Sequence, residues 1–178
     1  YVGHFMCTAC ELGYSVPSSI ISQWVQFQQR EARSWSASRD ADNPAILQAY
    51  RLYTLALAGQ PDMGAMNRLR EVDDLDAMSR WRLAAAYAMA GNRKAADQLI
   101  SGAVKAVAES ERDYYSFGSL IRNQAMLLES LTLLKDFAGA RTSLQAMANA
   151  MKGQQWYSTQ EIGYAMLSYA KFVQATNA

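Results

Sequence analysis

The sequence predicts an all-α fold made of helical hairpins, and three observations support this prediction. Apolar residues recur at helical spacing along most of the chain, and no segment convincingly alternates apolar and polar residues. The chain of 178 residues contains only three prolines, and its hydrophobic content of 51% is ample for a buried core. In the stretch Trp81–Leu99, a run of small apolar residues ends at Gly91, and Asn92 can cap a second helix. Similar units on both sides of this stretch predict an array of such hairpins.

Nine helices are predicted from breaker and capping residues, taken in chain order. Glycines end the first, third and fifth helices, and prolines open the second, third and fourth. The sixth helix is expected to continue to about Glu109. The predicted segments are Val2–Leu12, Pro17 to Trp35, Pro44 to Gly59, Pro61 to Leu69, the two helices of Trp81–Leu99, Ser119 to Leu134, Phe137 to Gly153, and the helix that follows Ser158.

The last predicted helix begins with Ser158-Thr-Gln-Glu161, which is a capping box. In the third, fifth, seventh and ninth helices, apolar residues cover more of the surface than in the even-numbered helices, so these odd-numbered helices are expected to form an inner layer. Behind the capping box, helical spacing predicts one apolar face, formed by Ile162, Ala165, Met166, Tyr169, Phe172 and Val173.

A weak internal repeat has the form AxxxL, early in the second helix of a pair. It occurs at Ala65–Leu69, Ala95–Leu99 and Ala140–Leu144, so its spacing is uneven. A tetratricopeptide array would instead repeat about every 34 residues. The repeat therefore indicates hairpins joined by connections of variable length.

Whether a helix is odd- or even-numbered in chain order predicts at which end of the array its loops lie. In an up-down array, the loops that lead into the odd-numbered helices lie at one end, and the glycine turns lie at the other. The first end then carries acidic and aromatic residues that form a candidate interaction surface: Asp73, Asp74, Asp76, Tyr114, Tyr115, Trp156 and Tyr157. Two other interpretations stay open, because aspartates here also stabilise the start of a helix, and aromatic residues often anchor a loop to the core.

Charge and motifs argue against several classes of function. A net charge of +1 gives no electrostatic basis for binding nucleic acid or an acidic membrane, and no apolar run is long enough to span a bilayer. The chain has no glycine-rich phosphate loop and no HExxH motif, and we assign no catalytic residue, cofactor or metal. His4, Cys7 and Cys10 can share one helical face, but a structural zinc needs four ligands. We interpret the two cysteines as small buried hydrophobic residues and His4 as structural.

The acidic stretch Asp73–Asp76 is the best candidate for an enzymatic site. Paired carboxylates can act as general acids or bind a magnesium diphosphate, and the helical terpenoid cyclases use aspartate-rich motifs. The spacing here matches neither DxDD nor DDxxD. A capped start of the fifth helix is the simpler interpretation.

Five stretches carry a family resemblance: YVGHF…GYSVP, QAYRLYTLALAGQPDMGAMNRLRE, RLAAAYAMAGNRKAADQL, GSLIRNQAMLLESL and WYSTQEIGYAMLSYAKF. Together they resemble the bacterial alpha-2-macroglobulin family, in the region equivalent to the thioester domain. The resemblance implies an α/α toroid, which is two concentric layers of helical hairpins, within a large cell-envelope or periplasmic protein that inhibits endopeptidases by entrapment. The thioester signature Cys-x-Glu-Gln is absent, and Cys10-Glu11-Leu12-Gly13 does not supply it, so no thioester residue is assigned.

We therefore expect residues 1–178 to form a single helical-hairpin array within a larger multidomain protein. The expected function is that of the toroid domain of a macroglobulin-like protease inhibitor, with a structural and docking role and no chemistry of its own. The alternatives are a helical-repeat scaffold that binds peptides or proteins, and a toroid enzyme with a carboxylate site. The implied partners are other domains of the same polypeptide and, in the intact protein, proteases. Because the chain starts inside a helix, we expect an open, incomplete ring that self-associates through its first or ninth helix.

Overall fold

A computed structural model describes residues 1–37, 44–103, 105, 107, 119–153 and 156–177. These residues form nine α-helices and no strand, which confirms the predicted all-α fold. No helix in these ranges combines the length and the apolarity that a bilayer crossing requires. The helices are α1 (Val2–Glu11), α2 (Ser18–Ser34), α3 (Ala45–Leu57), α4 (Met63–Arg70), α5 (Ala77–Met89), α6 (Arg93–Ile100), α7 (Leu120–Leu133), α8 (Phe137–Ala150) and α9 (Thr159–Thr176).

Helices α1, α3, α5 and α7 end in the same way, each with a residue at positive φ directly after the C-cap. These residues are Gly13 (φ 85°), Gly59 (φ 71°), Gly91 (φ 79°) and Lys135 (φ 59°). After Gly91, the Asn92 amide donates to the Tyr87 carbonyl oxygen at 2.9 Å, and the equivalent bond has the same length in the other three turns. The chain thus reverses tightly after each of these helices. At Lys135 the same hydrogen bonds impose the turn on a residue that carries a side chain.

Side chains cap three of the four helices that follow these turns. Asp62, Asn92 and Asp136 each accept a hydrogen bond from the amide three residues further on, at the starts of α4, α6 and α8. Ser158 does the same at the start of α9, and Glu161 completes the predicted capping box by accepting from the Ser158 amide at 2.7 Å. Local side-chain chemistry therefore sets these helix starts.

The chain divides into two compact units, of which the first is Tyr1–Leu99. Its centre is the contact between α3 and α5, and α4 packs against both. Much of α3 and α5 is inaccessible to solvent, including Leu52 and Trp81. At the edge of the unit, the indole of Trp24 in α2 lies so close to Gly3 in α1 that a Cβ on Gly3 would overlap it. The lack of a side chain at Gly3 therefore lets α1 approach α2.

The second unit, Ile100–Ala178, is centred on α7, which packs against both α8 and α9. Nearly all of α7 from Ile121 to Thr132 is buried. Of the residues in α9, only four are buried: Tyr164, Ala165, Ser168 and Phe172. Of the odd-numbered helices from the third onward, α3, α5 and α7 bury more than half of their residues, as an inner layer requires, and α9 does not; the inner layer itself stays a prediction.

The predicted apolar face of α9 coincides only in part with the face that is buried. Ala165 and Phe172 are buried, as predicted, but Ile162, Met166 and Tyr169 are 39%, 66% and 51% exposed. The buried face also includes Ser168, which is fully buried, and Tyr164. The prediction is wrong for the three exposed residues because it ranks positions by apolarity alone, whereas the inward face of α9 is partly polar.

The prediction that the sixth helix continues to about Glu109 is wrong. Helix α6 ends at Ile100, and Gly102 has a φ of 75°. The Ala103 amide donates to the Ile100 carbonyl oxygen at 2.9 Å, which closes a turn. A residue at positive φ cannot continue a right-handed helix, so the helix ends here. Glu109 itself lies outside the described residues.

The AxxxL repeat has a structural basis in its alanines. Ala65, Ala95 and Ala140 are all buried, whereas Leu69 is the only one of the three leucines that is buried. Each alanine lies three or four residues after the capping residue of its helix. A small side chain there lets the start of the helix pack closely, so the repeat marks the second helix of each hairpin.

Candidate interaction surface

The predicted acidic residues lie in the connection between α4 and α5. Asp76 is the N-cap of α5: its Oδ1 accepts from the Ser79 amide at 2.9 Å, and its Oδ2 accepts from the Ser79 hydroxyl. Asp73 and Asp74 are exposed, while Leu75 between them and the cap is buried. The interpretation of this stretch as a capped helix start is therefore confirmed for Asp76. Asp73 and Asp74 remain available to an interaction surface.

The predicted aromatic residues differ from one another. Trp156 is 82% exposed. The Tyr157 hydroxyl donates to the carbonyl oxygens of Ala150 at 3.1 Å and Gly153 at 3.3 Å, so Tyr157 anchors the loop before α9. Tyr114 and Tyr115 lie outside the described residues. The acidic stretch belongs to one unit and Trp156 to the other, so a surface that joins them remains a prediction.

A surface cleft of about 350 Å³ lies beside the acidic stretch, within the first unit. It is formed where the end of α4, the connection to α5, the first turn of α5 and the end of α6 meet. The residues that line it are Arg70, Glu71, Val72, Asp73, Leu75, Arg80, Gln98 and Leu99. Among the predicted surface residues that the structure describes, only Asp73 lines this cleft. Sequence reasoning missed the cleft because it is assembled from three helices, and no local pattern links their ends.

Hydrogen bonds hold the walls of the cleft. The Nε of Arg80 donates to the Leu75 carbonyl oxygen at 2.7 Å. Arg70 reaches from α4 toward α6, where its Nη2 lies 3.5 Å from Oε1 of Gln98. Burial raises the pKa of the nearby Tyr87 phenol, and the Arg70 charge opposes this rise. At neutral pH Tyr87 is therefore a neutral donor, and its hydroxyl bonds Oδ1 of Asn67 at 2.7 Å.

His4 belongs to a buried aromatic cluster, as its structural interpretation predicted. Its Nδ1 lies 3.0 Å from the Tyr50 hydroxyl, and its ring meets the Tyr53 ring edge-on. The Arg82 guanidinium lies 4.2 Å from the centroid of the Tyr53 ring, which is a cation–π contact. These contacts join α1, α3 and α5 within the first unit.

The cysteines do not follow the prediction of burial. Cys7 is half-buried and Cys10 is exposed. The buried residues of α1, Gly3, His4 and Met6, all lie in its first half, whereas the cysteines lie on the same face further along the helix, where fewer residues are buried. Across the described ranges, no three His, Cys, Asp or Glu side chains come close enough to hold a metal ion.

A buried carboxylate, Glu129 of α7, was missed from the sequence. It accepts from the Tyr164 hydroxyl at 2.6 Å and from the Lys171 ammonium at 2.8 Å, both on α9. Glu129 is fully buried, and the Lys171 side chain is 20% exposed. Its partners lie more than thirty residues later in the sequence, so no short sequence pattern predicts the contact. The contact fixes the rotation of α9 on α7.

Comparison with known proteins gives a consistent result. No family model matches the chain. Escherichia coli alpha-2-macroglobulin is 27% identical over 90% of this chain, which spans 10% of that protein's length. Among solved structures, E. coli alpha-2-macroglobulin activated by porcine elastase matches with a TM-score of 0.78 and 26% identity, over 98% of this chain and 16% of that chain.

Two further structures agree. The native E. coli alpha-2-macroglobulin, in a structure that spans domain MG7 to the C-terminus, matches with a TM-score of 0.79 and 26% identity, over 98% of this chain and 29% of that one. A Salmonella alpha-2-macroglobulin matches in fold, with a TM-score of 0.77 and 23% identity, over 95% of this chain and 12% of that one. The resemblance predicted from the motifs is thus confirmed: in sequence and in fold, this chain is similar to a helical segment of bacterial alpha-2-macroglobulins.

Proposed function

We propose that this chain is the toroid domain of a macroglobulin-like protease inhibitor, with a structural and docking role and no chemistry of its own. The main support for the proposal is the unequal coverage of the two chains in each comparison. The match covers nearly all of this chain but only between a tenth and a third of its relatives' length. A segment with this coverage works inside a larger polypeptide. Its proposed partners are the other domains of that polypeptide, and its proposed location is the cell envelope or periplasm.

The helices supply two compact units in this proposal. The family resemblance implies inhibition by entrapment, in which the inhibitor encloses a protease. A unit that keeps its shape in this process needs a dense core, and the closely packed helix pairs α3–α5 in the first unit and α7–α9 in the second suit that task. Among the described residues, the exposed members of the predicted surface are Asp73, Asp74, Asp76 and Trp156, and these are the candidate docking residues.

Entrapment can be tested by comparing two substrates. The full-length protein that contains this chain is mixed with porcine elastase, and the cleavage of casein and of a small chromogenic peptide is measured. We expect casein cleavage to fall while peptide cleavage persists, because an entrapped protease still admits small substrates. A full-length variant that lacks residues 1–178 serves as the control and should not inhibit. Equal loss of both activities, or no inhibition by the complete protein, would contradict the proposal.

The proposal also predicts that the chain by itself does not capture a protease covalently. The sequence contains no Cys-x-Glu-Gln motif, which is the source of the reactive thioester in the family it resembles. Mass spectrometry under denaturing conditions should find no adduct between the 178-residue chain and elastase. An adduct whose mass is the sum of the two chains would overturn this part of the proposal.

Self-association of the chain through α1 or α9 is part of the same proposal. Phe5 on α1 and Leu12 at its C-cap are 74% and 65% exposed, and Met166 on α9 is 66% exposed. Apolar side chains aligned on one helix face favour association with another apolar surface. Light scattering over a concentration series should show the mean mass rising, and the variant Phe5→Ser or Met166→Ser should reduce the rise. A constant monomer mass at every concentration would contradict it.

A further inference from the structure

We infer that Cys7 and Cys10 of α1 form a two-thiolate site for a soft monovalent metal cation such as Cu(I). This inference goes beyond the proposed inhibitor role and does not depend on it. It rests on the spacing of the two thiols along the helix, on the exposure of Cys10 and on the hydrogen bonds that hold this turn of the helix.

The helix brings the two thiols to neighbouring positions on its surface. Residues three apart in an α-helix are separated by about 4.5 Å along the axis and about 60° around it. Their Cβ atoms are then about 5–6 Å apart. Side chains on a helix lean toward its N-terminus, so the thiol of Cys10 leans over the turn that carries Cys7. The two sulfur atoms can therefore reach one bound ion from the same side of α1.

This spacing suits a bridging ion better than a disulfide. A disulfide needs Cβ atoms about 3.5–4.5 Å apart, which is less than the helical spacing gives, so closing one would distort α1. A metal–thiolate bond is about 2.3 Å long, so an ion in line between two sulfur atoms holds them about 4.6 Å apart. Two thiols whose Cβ atoms are about 5–6 Å apart reach that separation without a change in the backbone.

The ligand set favours a soft cation that takes two ligands. Thiolates select soft cations such as Cu(I), which forms linear complexes with two of them. A structural zinc needs four ligands, and within the described ranges His, Cys, Asp and Glu side chains form no group of three that could hold an ion. His4 lies one turn before Cys7, but its ring packs in the buried aromatic cluster, with Nδ1 3.0 Å from the Tyr50 hydroxyl. We therefore expect a site made of sulfur alone.

Binding at this site is a proton-for-metal exchange. Each thiol loses its proton to the buffer, and two S–metal bonds replace two S–H bonds. The cation keeps its oxidation state, so the step needs no oxidant or reductant.

The site is open to an ion, and its turn is already formed. Cys10 is exposed and Cys7 is half-buried, so an ion reaches Cys10 directly from solvent. The Gly13 amide donates to the Cys10 carbonyl oxygen at 3.0 Å, and the Tyr14 amide donates to the Ala9 carbonyl oxygen at 2.9 Å. Because these bonds hold the end of α1, the backbone loses little conformational entropy when an ion binds.

The probe for this inference is Cu(I), supplied without oxygen as its coloured bicinchoninate complex and titrated with the reduced 178-residue chain. We expect the chain to remove one Cu(I) per molecule from the chelator, measured as loss of colour. Cys10→Ser should weaken binding at least about tenfold, because a hydroxyl is a poor ligand for a soft cation. Met6→Leu is the matched control, since it removes the thioether of α1 and keeps both thiols, and it should bind like the parent.

A second variant tests the spacing itself. Ala9→Cys combined with Cys10→Ser keeps two thiols but places them two residues apart, on different sides of the helix, so it should bind at least about tenfold more weakly than the parent. Circular dichroism that matches the parent shows that each variant keeps its helices. X-ray absorption at the copper edge should show two sulfur neighbours.

Three results would overturn the inference. The first is that the parent chain removes no Cu(I) from the chelator. The second is that the variant with the altered spacing binds as tightly as the parent, because any two nearby thiols would then suffice. The third is a nitrogen neighbour or a third sulfur neighbour at copper.

Discussion

Helices α7 and α9 belong to the same unit and pack against each other, yet they are buried to very different extents. Helix α7 buries nearly every residue from Ile121 to Thr132, whereas α9, though longer, buries four. The difference lies in the number of neighbours, because α7 lies between α8 and α9, and α9 packs mainly on α7. Apolar content alone therefore does not tell how deeply a helix is buried.

The two helices also differ in what they bury. Six of the eleven buried residues of α7 are apolar, and the polar ones include Glu129, whose carboxylate meets Tyr164 and Lys171 of α9. The inward face of α9 is matched to that carboxylate rather than to the aliphatic residues alone. A buried polar group that finds its partners on one neighbour specifies how that neighbour is rotated.

The largest expected effect is the loss of a core side chain from α7. Leu128 is fully inaccessible to solvent, so Leu128→Ala should lower the free energy of unfolding by about 3 kcal/mol, through lost burial and the cavity that remains. Met166→Ala on α9 is the matched change at a 66% exposed position, and it should cost less than about 0.5 kcal/mol. Urea denaturation followed by circular dichroism measures both. Similar costs for the two variants would mean that the contrast in burial is wrong.

The next largest effect tests the contact that joins the two helices. Lys171→Met should destabilise the chain by about 2 kcal/mol, because the buried Glu129 carboxylate loses a charged hydrogen-bond donor. Lys152→Met is the control, since Lys152 is exposed and bonds only the Asn149 side chain among the described residues. The control should change the thermal midpoint little. If the two lysine variants have the same thermal midpoint, Lys171 does not hold α9 on α7.

The N-caps of α7 and α9 should contribute equally to stability, although the two helices are buried to different extents. Ser119 accepts from the Arg122 amide at 3.1 Å, and Ser158 accepts from the Glu161 amide at 3.2 Å. Ser119→Ala and Ser158→Ala should each cost about 1 kcal/mol, the usual loss for such a cap. Differential scanning calorimetry of both variants checks this. A cost confined to Ser119→Ala would show that the end of α9 is frayed and its capping box is not formed.

The smallest effect concerns pH and the start of α8, the other neighbour of α7. Hydrogen bonds from Lys105 and the Gly139 amide hold the pKa of Asp136 below its usual value of 3.8. A carboxyl with a lowered pKa stabilises the fold above the unfolded pKa, and this stabilisation is lost as the pH falls through the folded value. Asp136→Asn should therefore cost about 0.5 kcal/mol at pH 7 and less at pH 3, because asparagine keeps the cap and loses the charge.

The control for this effect is Asp97→Asn, which removes an exposed carboxylate that pairs with Arg93 within α6. Unfolding free energies from urea titrations at several pH values give the comparison. A cost of Asp136→Asn that stays constant from pH 3 to pH 7 would show that the carboxylate charge is not responsible.

Local chemistry made much of the fold predictable from the sequence. Gly13, Gly59 and Gly91 end their helices where a positive φ is required, and Ser158 starts α9 through its own side chain. Each of these signals acts within a few residues, so a single sequence contains it in full. The end of α6 was missed even though Gly102 uses the same chemistry, because apolar residues continue past it at helical spacing.

Sequence patterns could not predict how α9 is rotated on α7, nor could they predict the cleft. The inward face of α9 depends on Glu129, which lies thirty-five residues before Tyr164, and the cleft depends on where three helix ends meet. The exposure of Cys10 likewise depends on which part of α1 lies against its neighbours. These features come from packing between distant segments, and the residues involved have no distinctive spacing along the chain.

The contact of the Trp24 indole with Gly3 has a spectroscopic consequence. Of the four tryptophans in the chain, Trp24, Trp35 and Trp81 lie in the first unit, while Trp156 lies in the second and is already 82% exposed. Intrinsic fluorescence changes when an indole passes from protein to water, so an unfolding curve recorded by emission follows Tyr1–Leu99 almost alone. Circular dichroism averages the helices of both units. Because Trp24 rests on the backbone of α1, its emission also responds when that helix detaches from α2 before the rest of the unit unfolds.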